Sequence, residues 1–396
     1  MIDARKLRRI ALNQQGLIKR GSFGRGKAAT LRAIEKIGYV QIDTISVVAR
    51  AHHHVLHTRV PNYREKFLDD LVEQKKVFEY WSHAAAYLPM RDYRFALPRM
   101  QAIRNGEEKH WTQNSKPKLK KDILRRIRDE GPLQSRDFED TRRGKKEWWD
   151  WKPAKHALEE LFMTGELMAL GRDGFQKIYD LPERVLPDDV DTRAPTISEY
   201  AAYLINSTLN AHGFATQKSF SYLRKGKNLR SAIETHLAAS LDARELAADK
   251  LKSGATVYFR PESLDKRASR ASAQALILSP FDNLVIQRER GRDIFDFDYQ
   301  IECYVPETKR QYGYFCLPIL YRDTLVGRMD CKAHRKECVY EVRQLHIEKD
   351  VDDAFPLVFA NAVCDFASFN GCVDIKLKNG VPVEISNSIQ TVLSER

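Results

Sequence analysis

KLKKDILRRIRDEGPLQSRDFED (Lys118–Asp140), followed by PAKHALEELFMTGELMALGRDGFQKIYDL (Pro153–Leu181), is the stretch that decides the fold. Ile123, Leu124 and Ile127 line a single apolar face on a leading helix, and Gly131-Pro132 ends it. Ser135 or Asp137 then caps a short second helix. Pro153 suits the first turn of a third helix, whose core face is Leu158, Leu161 and Phe162. Two β-like runs around Gly171–Gly174 close the segment as a hairpin. Helix, helix, helix, hairpin is the order of a winged helix.

The same order recurs on both sides. Downstream, ISEYAAYLINSTLNAHG (197–213), FATQKSFSYL (214–223) and NLRSAIETHLAASL (228–241) lead into the hairpin sequence LAADKLKSGATVYFRPE (246–262). Upstream, ARKLRRIALNQQG and KAATLRAIEKIG precede a looser copy whose expected hairpin joins VQIDTISVVAR (40–50) to HHVLHTRVPNY (53–63). From about Ser272 short strands dominate, with one helix, DAFPLVFANAVCDFASF. The expected fold is therefore α+β: three tandem winged-helix units over 1–110, 111–190 and 191–271, then a β-rich region over 272–396.

Composition narrows the function. The chain has 396 residues, 43% hydrophobic and 30% charged, which describes a folded protein long enough for several domains. No run of eighteen apolar residues is present, and MIDARKLRRIALNQQG lacks the apolar core of a signal peptide, so a cytoplasmic protein is expected. The six cysteines all follow residue 300 without a CxxC pair, which argues against structural zinc. The net charge is +12. Arg104–Arg128 holds nine Lys/Arg against three Asp/Glu, and Gln217–Arg230 holds five basic residues and no acidic one. Basic runs interleaved with Phe220, Tyr222 and Ser/Asn donors point to nucleic acid as the partner. GxxxxGK[ST], GxGxxG, HExxH and GxSxG are all missing, which removes the usual support for ATPases, Rossmann enzymes and serine hydrolases.

Chemistry centres on Val40–Asp43. In an extended strand Gln41 and Asp43 share one face, and Ile45, Val47 and Val48 stay apolar, so carboxamide and carboxylate are set at the mouth of a buried element. A carboxylate and an amide are too few for metal-dependent hydrolysis, which needs more ligands. They suffice when the leaving group is already activated, as in a purine carrying a positive charge from N7- or N3-alkylation. ARAHHHVLHTRV (49–60) reads as a basic hairpin with Arg50, His53, His57 and Arg59 facing phosphates; its β-like pattern argues against a helix that would pair His53 with His57 on a metal. EYWSHAAAYLPMRDYRF (79–95) reads as an aromatic stripe at helical spacing, with His83 able to line the cleft near Asp43 and Arg91 facing DNA. The cluster around Trp148, Trp149 and Trp151 reads as packing beneath a connection. Asp296 and Asp298 fall on one strand face, an arrangement seen in metal-dependent nucleases, although the lysine that commonly follows is missing.

Three blocks resemble the winged-helix DNA glycosylases of the AlkZ/YcaQ type, and the YcaQ branch in particular: GYVQIDTISVVARAHHHVLHTRV, EYWSHAAAYLP, and Leu278–Asp330 beginning LSPFDNLVIQRERGRDIF. The resemblance covers essentially the whole chain. It implies a C-shaped DNA-binding surface, no metal or organic cofactor, and a monomer acting in the nucleoid on double-stranded DNA that carries alkylated bases or interstrand crosslinks. It maps the family's catalytic Gln-apolar-Asp triplet onto Gln41-Ile42-Asp43, with Asp43 polarising water or stabilising the sugar cation and Gln41 placing the water. Two rivals stand beside this reading: a non-enzymatic winged-helix regulator, and a nuclease built on Asp296 and Asp298.

Overall fold

The computed structural model describes residues 2–140, 151–224, 226–265 and 271–396. Trp148 and Trp149 lie outside the described residues. The chain packs as two compact units, one made of residues 1–64 and 204–396, the other of 65–203. The positions 110 and 190 both lie within the second unit.

The discontinuous unit is built around a five-stranded sheet: Ala275–Ile277, Cys316–Tyr321, Thr324–His334, Val339–Ile347 and Asp374–Gly380, in that order. The first four run antiparallel; the last is parallel to its neighbour. A parallel pair needs a crossover, which the helix Phe355–Phe369 supplies. Phe355, Phe359, Val363 and Phe366 recur at helical spacing on that helix and are buried in one cluster with Leu317, Ile319, Met329 and Tyr340 of the sheet. A second cluster joins Leu7 and Ala11 of helix α1 (Ala4–Gln14) to Phe214, Val257 and Phe259, and to Leu278, Ile294 and Phe295. Helix α2 (Gly26–Ile37) buries Ala29, Ala33, Ile34 and Ile37.

Downstream, a helix, a strand, two further helices and a hairpin follow one another over 197–259. Phe214–Thr216 pairs with Thr256–Phe259, which pairs with Ala247–Lys250. The second unit repeats this connectivity: Leu133–Gln134 pairs with Gln176–Asp180, which pairs with Met168–Asp173, after helices Pro117–Glu130 and Pro153–Met163.

The upstream copy differs from expectation in two places. Val40–Gln41 is a two-residue strand, but Ala51–Arg59 is a helix, α3, so the expected hairpin between 40–50 and 53–63 does not form. Its residues are buried nearly all round, from Ala51 to Leu56 and again at Thr58 and Arg59. A helix without an exposed face loses the 3.6-residue period that identifies one, and a short segment without that period reads equally well as a strand. Val60-Pro61 ends it. The region Glu79–Phe95, expected as a helical stripe, instead ends the first strand of a hairpin (Val77–Trp81 with Ala85–Pro89), makes the turn and the second strand, and runs into a 3₁₀ helix, Met90–Ala96. Asp296 is likewise not on a strand. It ends the helix Arg288–Phe295 in the left-handed region at φ 48°, and its carboxylate faces Lys349 while Asp298 pairs with Arg292.

Candidate active site

Helix α2 delivers the chain to the site. It stops at Gly38, whose φ of 84° returns its N–H to the Ile34 carbonyl at 2.8 Å; this left-handed geometry is strained for any residue with a Cβ. Val40 is fully buried and Gln41 nearly so. The turn leading there is held from outside the segment. The Asn283 amide donates to the carbonyls of Ile37 (3.3 Å) and Tyr39 (3.1 Å).

Asn283 owes its position to a buried charge pair. The Arg59 guanidinium donates to both carboxylate oxygens of Asp282, at 2.6 and 2.8 Å, and neither side chain has solvent access. Arg59 also donates to Gln15 Oε1, and the Leu284 N–H donates to Asp282 Oδ1. The Arg290 guanidinium donates to the Asn283 and Leu284 carbonyls. A buried ion pair with bidentate geometry is rigid, because losing either partner strands a charge in a low dielectric.

Asp43 lies just past the strand, in an irregular stretch. Its Oδ1 accepts the Ile45 N–H at 2.8 Å. Downstream, the Val47 carbonyl accepts from Ala333 N–H (2.9 Å), Ser46 from Arg335 (3.1 Å), and Ala49 N–H donates to Asn370 Oδ1 (2.7 Å). Ile45 and Val47 pack on the sheet cluster. Asp43 is thus fixed on both flanks yet half-exposed itself. Burial pushes its carboxyl pKa above the ordinary carboxylate value, against a smaller downward pull from the Ile45 and Thr44 backbone N–H groups. A carboxylate has about four acceptor sites, so two backbone donors leave capacity for a water or a cationic centre.

The residues expected to face DNA divide sharply. Arg59 is wholly enclosed, and so cannot reach a phosphate. His53 is buried against Tyr63, sharing a 2.8 Å hydrogen bond with its hydroxyl, and burial with the nearby Arg50 charge pushes its pKa down to about 3. His54 donates to the Ile277 carbonyl and is pushed down to about 4 by burial. His57 stacks on Phe369 with ring centroids 3.9 Å apart, and burial pushes it down to about 3. These are neutral packing groups of α3, not an exposed basic hairpin. Arg50, at the start of α3, is half-buried. In the second unit, His83 sits half-buried in the turn of the 77–89 hairpin and Arg91 is exposed on the 3₁₀ helix. Among the described residues, no group of three or more His, Cys, Asp and Glu is placed to hold a metal ion.

Asn283, Arg290 and Asn370 carry the site without having been singled out in the sequence. The first two lie in the block LSPFDNLVIQRER, which bears the family resemblance without an assigned role.

The sequence model described as DNA glycosylase AlkZ-like matches residues 34–369, a span that includes Gln41, Asp43 and Asn283. The fold is similar to that of the DNA glycosylase AlkZ of Streptomyces sahachiroi, with a TM-score of 0.65 over 95% of this chain and 99% of that one, at 14% identity. On the extent of the family match, this chain belongs to the AlkZ-like DNA glycosylases.

Proposed function

We propose that this DNA glycosylase hydrolyses the N-glycosidic bond of cationic alkylated purines, N7-alkylguanine foremost, and unhooks interstrand crosslinks formed through such bases. It acts as a monomer on double-stranded DNA in the nucleoid and needs no metal or organic cofactor. The observation that carries the reading is Asp43: a half-exposed carboxylate on a segment pinned at Tyr39, Val47 and Ala49. An alkylated purine leaves as a neutral base, taking the glycosidic electron pair, so no general acid is required. Positive charge develops at C1′, and a fixed carboxylate beside it offsets that charge without having to reorganise. Water then adds at C1′ and gives up a proton, which Asp43 can accept, while Gln41 orients the water. The products are free base and an abasic site.

Arg50, His83 and Arg91 are proposed as DNA contacts. His53, His57 and Arg59 support α3 from within. A base tied to the opposite strand cannot rotate into a closed pocket, and a carboxylate on an irregular, half-open stretch suits attack without extrusion.

The test is duplex DNA containing N7-methylguanine, incubated in EDTA and then heated in alkali to cut abasic sites. Wild type cuts at the lesion; Asp43→Asn loses about 10²–10⁴-fold in rate while keeping DNA affinity. Because burial raises the Asp43 pKa, the acid limb of kcat/KM should lie above the ordinary carboxylate range and vanish in the variant's residual activity. Full activity in Asp43→Asn would refute the assignment.

A further inference from the structure

Tyr304 is the most exposed aromatic side chain among the described residues, 77% accessible. It does not hang on a slack segment. The Glu302 carboxylate accepts the N–H groups of Gln311, Tyr312 and Gly313, at 2.8–3.1 Å, which closes residues 302–313 into a loop. The Arg310 guanidinium donates to the Val305 carbonyl and lies over the Tyr314 ring. Tyr312 packs 3.9 Å from the Arg328 guanidinium, itself buried and paired with Glu348. Gly313 adopts φ 139°, and a Cβ there would meet the Asp330 carboxylate at 2.6 Å. The chain has fixed a loop that turns a phenol ring outward.

The segment that carries the ring and the segment that carries Asp43 share one core. Ile301 and Cys303, on one side, and Ile45 and Val47, on the other, pack on the same sheet cluster. The Asp43 charge adds to burial in raising both the Cys303 thiol and the Tyr304 hydroxyl. Beside the loop lies a cleft of about 760 Å³, with Tyr304 among its lining residues together with Tyr222, Phe281, Tyr299, Arg288 and Arg292.

We infer that Tyr304 is a specificity-determining residue that stacks its ring on the positively charged nucleobase while Asp43 faces the sugar. The argument is electrostatic. The face of a phenol ring is electron-rich and attracts cations, and an N7-alkylpurine is a flat cation, whereas the undamaged purine is neutral. An exposed Tyr at the lip of a basic cleft therefore separates damaged from normal bases by charge rather than by shape. Stacking on one face needs no closed pocket, so it is compatible with a crosslinked base. This inference rests on the proposed chemistry at Asp43 and identifies what that site recognises.

The test separates recognition from catalysis by measuring equilibrium binding to two duplexes that cannot react alike. One carries 2′-fluoro-N7-methylguanine, cationic and resistant to hydrolysis; the other carries 7-deaza-7-methylguanine, its neutral isostere. Wild type should bind the cationic duplex about tenfold more tightly. Tyr304→Ala should shrink that preference at least threefold, with affinity for unmodified duplex within twofold of wild type. Tyr304→Phe, which keeps the ring and drops the hydroxyl, should retain it. An undiminished preference in Tyr304→Ala, or none in wild type, overturns the inference, even if base release by wild type still supports Asp43. Loss in Asp43→Asn of release but not of preference would confirm that the two roles are separate.

Discussion

Helix α3 and the loop 302–313 invert the usual partition of side chains. The helix encloses three histidines and an arginine, and the loop presents a tyrosine to solvent. Polar groups go inside at least cost when they are given partners: Arg59 has Asp282, His53 has Tyr63, and His54 has the Ile277 carbonyl. Large aromatics stay outside a fixed loop only at the expense of hydrophobic burial. Both exceptions flank one acidic residue. The lesson is that the interior polar network serves to hold the backbone of the site, while the exterior ring serves what the site touches.

The inversion can be broken most severely at Asp282. Asp282→Ala leaves the Arg59 charge buried and alone, and should destabilise the discontinuous unit by about 3–5 kcal/mol. Denaturant melts followed on that unit would report it, and an unchanged midpoint would mean that the pair does not hold α3.

A graded effect, set by pH, follows from the histidines. His53, His54, His57 and His212 are all pushed below their ordinary pKa, chiefly by burial, to about 3, 4 and 3 for the first three. The unfolded chain, titrating near 6.5, binds protons that the folded chain refuses. Stability is therefore complete above about pH 6.5 and is lost as pH falls toward 4, by up to about 1.4 kcal/mol per pH unit for each group. Tm should drop between pH 7 and pH 5, before ordinary carboxylates titrate. A flat Tm over that interval would put these rings in water.

Least costly to the fold, and sharpest for the comparison, is Asn283→Ala. It removes the donor to the Ile37 and Tyr39 carbonyls, worth about 1–2 kcal/mol. If the interior network exists to place Gln41 and Asp43, kcat should fall about tenfold with duplex affinity intact, and Asn283→Asp should not restore it, since a carboxylate cannot donate. Equal losses in kcat and affinity would mean a general weakening instead.

Some of this could be read from the sequence and some could not, for definite reasons. The hairpin 168–180 announces itself through Gly174, and the helix before it through Pro153 and its apolar spacing. Asp43 was legible because apolar Ile45, Val47 and Val48 follow it where a solvated strand edge would alternate. Helix α3 was not, because burial on every side erased its period. Nor were the groups that fix the site: Asn283 is 244 residues from Tyr39, and Asn370 is 321 residues from Ala49. Local pattern carries no information at that separation. His53, His57 and Arg59 were misplaced for a related reason, since a basic residue is assigned to the surface unless its distant partner is known.

The unit that holds Asp43 is assembled from residues 1–64 and 204–396, and this has a bearing on biosynthesis. A ribosome makes the proposed catalytic aspartate, Asp43, within the first eighth of the chain, but the side chains that set its backbone emerge only with Asn283 and Asn370. Any nascent or prematurely terminated product carries the warhead without its mount. Truncation from the carboxyl end should therefore silence the protein long before it removes a residue of the triplet.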